Sequence, residues 1–211
     1  MTEAYIIDAL RTPTGRRKGG LSEMHPADLG GHVLKELVDR NDVPDDDYED
    51  VIFGSVDTIG PLAGDIARTC WLSAGLPLHV PGVTIDRQCG SSQQSVHFAA
   101  QAVMSGTADV VVAGGVQAMS QIPISAAMLA GQAYGFGDPF TGSSGWVKRF
   151  GDGLVTQFNS AEMIAEKWGL SRQDLEQFAL NSNERAFRAI DEGRFDREIT
   201  PVNGVTMDET P

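Results

Sequence analysis

Residues 82–106, GVTIDRQCGSSQQSVHFAAQAVMSG, carry the reading of the fold and of the chemistry together. Residues 82–86 (GVTID) are short, β-branched and without polar alternation, as a buried central strand is. The strand runs into Cys89 and a tight Gly-Ser-Ser turn follows. A helix over about 92–105 then begins at once, with Val96, Ala99, Ala100 and Val103 on one face. A cysteine before a helix N-terminus feels unpaired backbone N–H groups and the positive end of the helix dipole, both of which favour thiolate over thiol. The same N–H groups would hold an oxyanion formed by attack on a carbonyl. The pattern therefore suits a nucleophilic cysteine. The other role open to Cys89 is that of a small buried apolar residue, the usual fate of a free cysteine.

The same alternation of elements continues on both sides. Residues 4–9 (AYIIDA) read as a first strand. Residues 26–40 read as a helix, opening on Pro26 with Leu29, Val33, Leu34, Leu37 and Val38 at helical spacing. A polar, acidic turn leads to a strand at 51–56 and a helix at 63–75 closed by Gly75. Beyond the quoted stretch, 108–113 (ADVVVA) is a further strand, and Gly114-Gly115 after it reads as a sharp bend rather than a phosphate cradle. This β-α-β-α-β-α-β order predicts an α/β sheet with helices on its faces.

After about residue 120 the character changes. Residues 131–153 hold seven glycines and no periodicity. Two helices then resume. The first is SAEMIAEKWGL, residues 160–170. The second follows Ser171, whose spacing to Asp174 resembles a capping box. In it Leu175, Phe178, Ala179, Ala186 and Ile190 form an apolar stripe, and Gly193 closes it. Residues 121–211 thus read as a loop-and-helix region separate from the sheet, ending in PVNGVTMDETP without a closing element.

The formal net charge of −13 excludes a general nucleic-acid binder, which needs a basic footprint, and disfavours an anionic membrane surface. Arg16-Arg17-Lys18 and Lys148-Arg149 would still give a positive mouth for a polyanionic small ligand; each alone also reads as a solvated surface run. No stretch approaches the roughly 20 apolar residues of a membrane span, and two cysteines are too few for a disulfide scaffold, so a cytoplasmic setting follows. Cys70, inside ARTCWLSAG beside Trp71, reads as core. Of His25, His32, His79 and His97, none has a context that places it against Cys89. His97 lies about 12 Å further along the helix, so the base that a thiolate needs is expected outside this chain. No metal-ligand spacing is present.

Five segments together resemble the thiolases, the acyl-CoA C-acetyltransferases, over essentially the whole chain. They are RTPTGRRKGGL (11–21), ARTCWLSAGLP (67–77), DRQCGSSQQ (86–94), GGVQAMS (114–120) and residues 160–202. The resemblance implies a layered α/β fold, with helices on both faces of a mixed, largely parallel sheet. Residues 1–120 would be the N-terminal domain carrying the nucleophile and 121–211 an incomplete loop or lid domain, the whole being the first half of the enzyme. Gly114, Gly115, Met119 and Ser120 would form the turn into that lid.

The resemblance also implies a mechanism. Cys89 attacks the 3-keto carbon of a 3-ketoacyl-CoA and becomes an acyl-cysteine, or works in the reverse condensation. Coenzyme A is then a co-substrate, with no tightly bound cofactor and no metal. The partners implied are a C-terminal half on the same or a separate chain, bringing the base histidine and a second cysteine, and further copies in a homo-dimer or tetramer. Two departures from the family pattern stand out. Gln117 stands where a Glu is usual, and Thr156-Gln157-Phe158 replaces a common His-Met-Gly. The second change, with the C-G-S-x-Q-Q run, resembles thiolases that degrade bulky acyl-CoAs, including steroid side chains. A ketoacyl-synthase-type condensing enzyme and a non-catalytic acyl-CoA-binding thiolase-like subunit are the alternative readings.

Overall fold

The computed structural model describes residues 3–153 and 155–210. In chain order the helices are α1 (Pro26–Asp39), α2 (Ile66–Ser73), α3 (Ser91–Ser105), α4 (Ala126–Ala130), α5 (Ser144–Phe150), α6 (Gln157–Trp168) and α7 (Arg172–Asp191). The strands are β1 (Asp50–Gly54), β2 (Gly82–Ile85) and β3 (Val111–Gly115), all parallel, in the order β2-β1-β3. The expected α/β class is the observed one. The chain forms two compact units, one running up to Ala127 and rejoined by Arg197–Thr210, the other spanning Met128–Asp196.

The strand order explains why helices lie on both faces of the sheet. β1 connects to β2 through α2, and β2 connects to β3 through α3, stepping back across β1. Right-handed crossovers in opposite directions require their helices on opposite faces. Strand alternation sorts the side chains accordingly. Val51 and Phe53 point to the face that carries α1 and α2, where Leu62, Ile66, Trp71 and Val80 complete a core that water does not reach. Each such side chain contributes about 1.5–3 kcal/mol on burial. α1 and α2 meet at Gly30, where an added Cβ would lie 2.5 Å from Cys70 Sγ.

Cys70 sits at the centre of that core, its thiol 3.6 Å from the Pro26 carbonyl oxygen, so the core reading of this residue holds. Burial first, and the nearby Asp28 carboxylate second, push its thiol up from 9.0 to about 12. It is a packing residue that stays protonated at neutral pH.

The other face is different in kind. α3 presents a polar first turn, with Ser91 and Ser95 buried, to the backbone at the strand ends. Gly54 and Gly115 make this possible. A Cβ on Gly54 would sit 2.3 Å from the backbone of Ser91 and Ser92, and one on Gly115 would sit 2.1 Å from Ser92 Oγ. The Ser95 hydroxyl lies 2.8 Å from the Gly114 carbonyl oxygen. Gly114 and Gly115 are therefore not the expected bend. They are the last two rungs of β3, paired with Phe53 and Gly54, and are glycine because a helix and a phenylalanine ring press on them. Met119 and Ser120 do lie in a turn beyond β3.

The expected first strand at 4–9 does not form. Tyr5, Ile6 and Ile7 are 78%, 80% and 69% exposed. The composition suits a strand, but a strand exists only where a neighbour completes its ladder, and the sheet of described residues begins and ends with β2 and β3. What orders the region after it is a strap from the far end of the chain. Arg11 bridges to Ile199. Its guanidinium grips Asp208 through two bonds of 2.6 and 3.0 Å and reaches Glu198 at 2.6 Å. Asp208 also accepts from Thr14 N–H at 2.7 Å, and Glu209 accepts from Arg16 and Gly20 N–H at 3.1 and 2.9 Å. The closing segment that the sequence leaves without an element is held here by charge.

The second unit is helical, and among its described residues none is buried. The capping box expected at Ser171 is present, with Ser171 N–H donating to Asp174 at 2.8 Å and Asp174 N–H returning to Ser171 Oγ at 3.2 Å. α6 starts three residues earlier than the sequence suggests, because Thr156 caps it by accepting from Asn159 N–H at 3.1 Å. The first part of the apolar stripe of α7 is uncovered, with Phe178 at 77% exposure, while Ala186 and Ile190 are half-buried.

Two measurements check this account. Gly54→Ala should destabilise the protein by about 1–3 kcal/mol or more, because the obstructing atoms are backbone. Gly137→Ala, whose Cβ meets nothing within 4 Å, should change stability by less than about 0.5 kcal/mol in the same urea titration. The Arg11 guanidinium holds the Asp208 carboxyl below its ordinary 3.8. Its stabilisation is thus fully present above the unfolded value and is lost as pH falls through the lower folded one. Asp208→Asn should cost about 1–3 kcal/mol at pH 7, and the difference from wild type should shrink below pH 4 in acid titration.

Candidate functional site

The C-terminal ends of parallel strands are where an α/β sheet presents its loops, and the connection from β2 to α3 carries Cys89 there. Gly90 is the N-cap of α3 and Cys89 stands one residue before it. The two cysteines of the chain are thereby separated by environment: Cys70 is buried in the core, and Cys89 is exposed at the turn.

The turn is built from side-chain and backbone hydrogen bonds. Gln88 adopts a left-handed backbone, φ +50°, a conformation that costs a non-glycine residue free energy. Asp86 supports it from one side, its carboxylate accepting from Gln88 N–H at 2.7 Å. Ser91 supports it from the other. The Ser91 hydroxyl accepts from Arg87 N–H at 2.8 Å and donates to the Gln88 carbonyl at 2.5 Å. Gly90 and Ser91 N–H close the turn onto the carbonyls of Arg87 and Gln88 at 3.1 and 3.0 Å. This alters one expectation, because these two N–H groups of the helix start are spent on the turn and do not stand ready for an oxyanion.

A cleft of about 410 Å³ runs along the outer edge of β2, lined among others by Thr58, Leu62, Asp65, Val83 and Asp86. Its lining stops at Asp86 and does not include Cys89. Thr84 shapes its wall, donating to Asp65 at 2.6 Å and accepting from Ala67 N–H at 3.1 Å, which anchors the first turn of α2 to β2.

Beyond β3, Gln117 joins the strand ends. Its Oε1 accepts from Val56 N–H at 3.1 Å and lies 3.4 Å from Ser55 Oγ. Because Val56 N–H must face an acceptor, Nε2 faces the other way, where it is buried with no hydrogen-bond partner among the described residues. A Glu at this position would offer a second acceptor; Gln117 offers a donor.

The four histidines lie in separate settings. His25 caps α1, its Nδ1 accepting from Ala27 N–H at 3.2 Å, and His32 Nε2 lies 3.2 Å from Thr200 Oγ1. His79 is exposed in the loop before β2, and His97 is exposed on α3. Arg16 pairs with Glu209 in the first unit, while Lys148 and Arg149 lie on α5 in the second. Among the described residues no cluster of three or more His, Cys, Asp or Glu could hold a metal ion, and no helix is long and apolar enough to cross a membrane.

The sequence places Cys89 at a strand-to-helix turn, as observed, but the reading passed over Ser91, Asp86 and the Gln88 conformation. Asp86 two residues before Gln88 is an Asx-turn spacing and was open to reading. The two-way role of the Ser91 hydroxyl has no linear signal.

Comparison with known proteins identifies the family. The model of the thiolase N-terminal domain matches residues 4–210. A steroid 3-ketoacyl-CoA thiolase of Mycobacterium tuberculosis is 57% identical over 96% of this chain and 50% of its own length. A β-ketoadipyl-CoA thiolase of Acinetobacter baylyi is 38% identical over 96% of this chain and 52% of its own. A 3-ketoacyl-CoA thiolase of Pseudoalteromonas translucida is 36% identical over 99% and 51%. The chain spans about half the length of these curated relatives, and through the match of residues 4–210 it belongs to the thiolase family, of which it carries the N-terminal domain.

Proposed function

We propose that the protein acts as a CoA-dependent 3-ketoacyl-CoA thiolase on substrates with bulky acyl groups, with Cys89 as the acyl acceptor. The observation that carries this reading is the 57% identity to a steroid 3-ketoacyl-CoA thiolase across nearly the whole chain, against 38% to a relative named for β-ketoadipyl-CoA. The exposed thiol at the strand-to-helix turn supports the role of Cys89. Thr156-Gln157-Phe158, which caps and opens α6, leaves Phe158 83% exposed at a position where the family often has a smaller residue, in keeping with a large apolar substrate.

In this reading the Cys89 thiolate adds to the 3-keto carbon and the bond between C2 and C3 breaks. Acetyl-CoA leaves after protonation at its α carbon, and an acyl-cysteine remains. The thiol of a second CoA, losing its proton to a base, then displaces Cys89 and releases an acyl-CoA shortened by two carbons. The base and the acid belong to the part of the enzyme that this domain does not span; each contributes about 10²–10⁴ in rate. Coenzyme A is a co-substrate, and no tightly bound cofactor enters. Residues 1–120 carry the nucleophile, and within 121–211 the second unit, Met128–Asp196, begins a lid over the acyl-CoA, a reading supported by the uncovered apolar side chains of α6 and α7, whereas Arg197–Thr210 return to the first unit. A cytoplasmic homo-dimer or tetramer is the form proposed.

The test is an acid quench of the full-length protein with a 3-ketoacyl-CoA bearing a steroid side chain, before CoA is added. A mass increase of one acyl group on the Cys89 peptide is expected. Cys89→Ala should abolish it and lower kcat for thiolysis by at least about 10³-fold. Acyl label on Cys70, or none with any 3-ketoacyl-CoA, would sink the role of Cys89. A kcat/KM for acetoacetyl-CoA equal to or above that for the steroid substrate would sink the bulky-substrate reading alone.

A further inference from the structure

We infer that Ser91 is a positioning residue for Cys89: its buried hydroxyl holds the Gln88–Cys89 peptide in the orientation that presents the thiol. The inference rests on the proposed role of Cys89 and adds a residue to it. Ser91 is 4% exposed, and its backbone lies so close over Gly54 that no side chain fits between them. The sheet therefore fixes where the hydroxyl is. From that fixed point it reaches both sides of the strained residue, accepting from Arg87 N–H at 2.8 Å and donating to the Gln88 carbonyl at 2.5 Å.

The Gln88 carbonyl belongs to the peptide that joins Gln88 to Cys89. A trans peptide is planar, with its carbonyl and N–H opposed. The Ser91 N–H holds that carbonyl at 3.0 Å, and the hydroxyl adds the shorter bond and ties it to Arg87 N–H; together they fix the plane of the peptide, and with it the direction in which Cys89 leaves the turn. Left alone, Gln88 at φ +50° would relax toward negative φ, because a left-handed backbone crowds the Cβ of a non-glycine residue. Ser91 and Asp86 together oppose that relaxation. Glycine has no such cost at positive φ, so the dependence on Ser91 should fade when residue 88 is glycine. A residue that merely packs under α3 would show no such dependence.

The experiment is a double-mutant cycle on the full-length protein with Ser91→Ala, Gln88→Gly and the two combined. It is read by kcat and KM for thiolysis and by the rate of iodoacetamide alkylation of Cys89 across pH. Ser91→Ala should lower kcat by about 10–100-fold, the scale of a small misplacement of a reacting group, with KM within about twofold. It should slow alkylation of Cys89 about fivefold or more. In the Gln88→Gly background the further loss on adding Ser91→Ala should shrink to less than about threefold in both readouts. An equal Ser91→Ala loss in both backgrounds, or none in either, overturns the inference. Alkylation needs no substrate. If the wild-type protein lacks thiolysis, the functional reading falls while the alkylation cycle still decides the role of Ser91.

Discussion

The structure of the sheet end depends on one close approach, that of the first turn of α3 to the backbone of β1 and β3. Helices ordinarily rest on sheets through side chains, at a spacing those side chains set. Here Gly54 and Gly115 remove the side chains, and Ser91, Ser92 and Ser95 meet strand backbone directly. The consequence is rigidity at the place where the chain turns from β2 into α3. A helix start pressed on carbonyls and amides cannot slide without breaking them, so the turn at 86–90 inherits a fixed end. The strain at Gln88 is tolerated for the same reason, because Ser91 is held from below by the sheet.

Much of this was legible in the sequence, and the parts that were not share a cause. The parallel strands announce themselves as short Val- and Ile-rich runs between helical periodicities, and the helix boundaries fall close to their caps at Ser171 and Gly106. Cys89 was legible because a strand, a cysteine and a glycine-serine turn stand next to one another. The segment at 4–9 misled because composition reports what a segment tolerates, while a strand also needs a neighbour to bond to. Gly114-Gly115 misled in the opposite sense. Paired glycines suggest a bend, but their reason here is a helix that only the fold brings near. Contacts at long sequence separation, such as Arg11 with Asp208, leave no periodic trace.

The two cysteines show how much the environment decides. Each has a glycine nearby and each is close to a helix, yet one is a protonated core residue and the other an exposed thiol at a helix start. The difference lies in which layer of the fold the helix belongs to. α2 packs through its side chains into the apolar face, so Cys70 inside it is desolvated. α3 packs through its first turn onto backbone, so the residue just before it is left at the rim. Packing alone thus decides which of the two thiols solvent can reach.

The second unit makes the complementary point. Its helices carry their own caps, so local free energy favours helix: Thr156 opens α6, Ser171 and Asp174 open α7, and Gly169 closes the gap between them at φ +62°. Caps of this kind are worth about 1 kcal/mol each. They do not supply a core, and Met163, Trp168, Phe178 and Phe187 all remain more than half exposed. In the first unit the apolar face of the sheet is already closed by α1 and α2, while the segment at Tyr5–Ile7 and the thiol of Cys89 are exposed. The sequence thus concentrates its self-sufficient packing in the layer of α1 and α2, and gives the helices of the second unit caps without a core of their own.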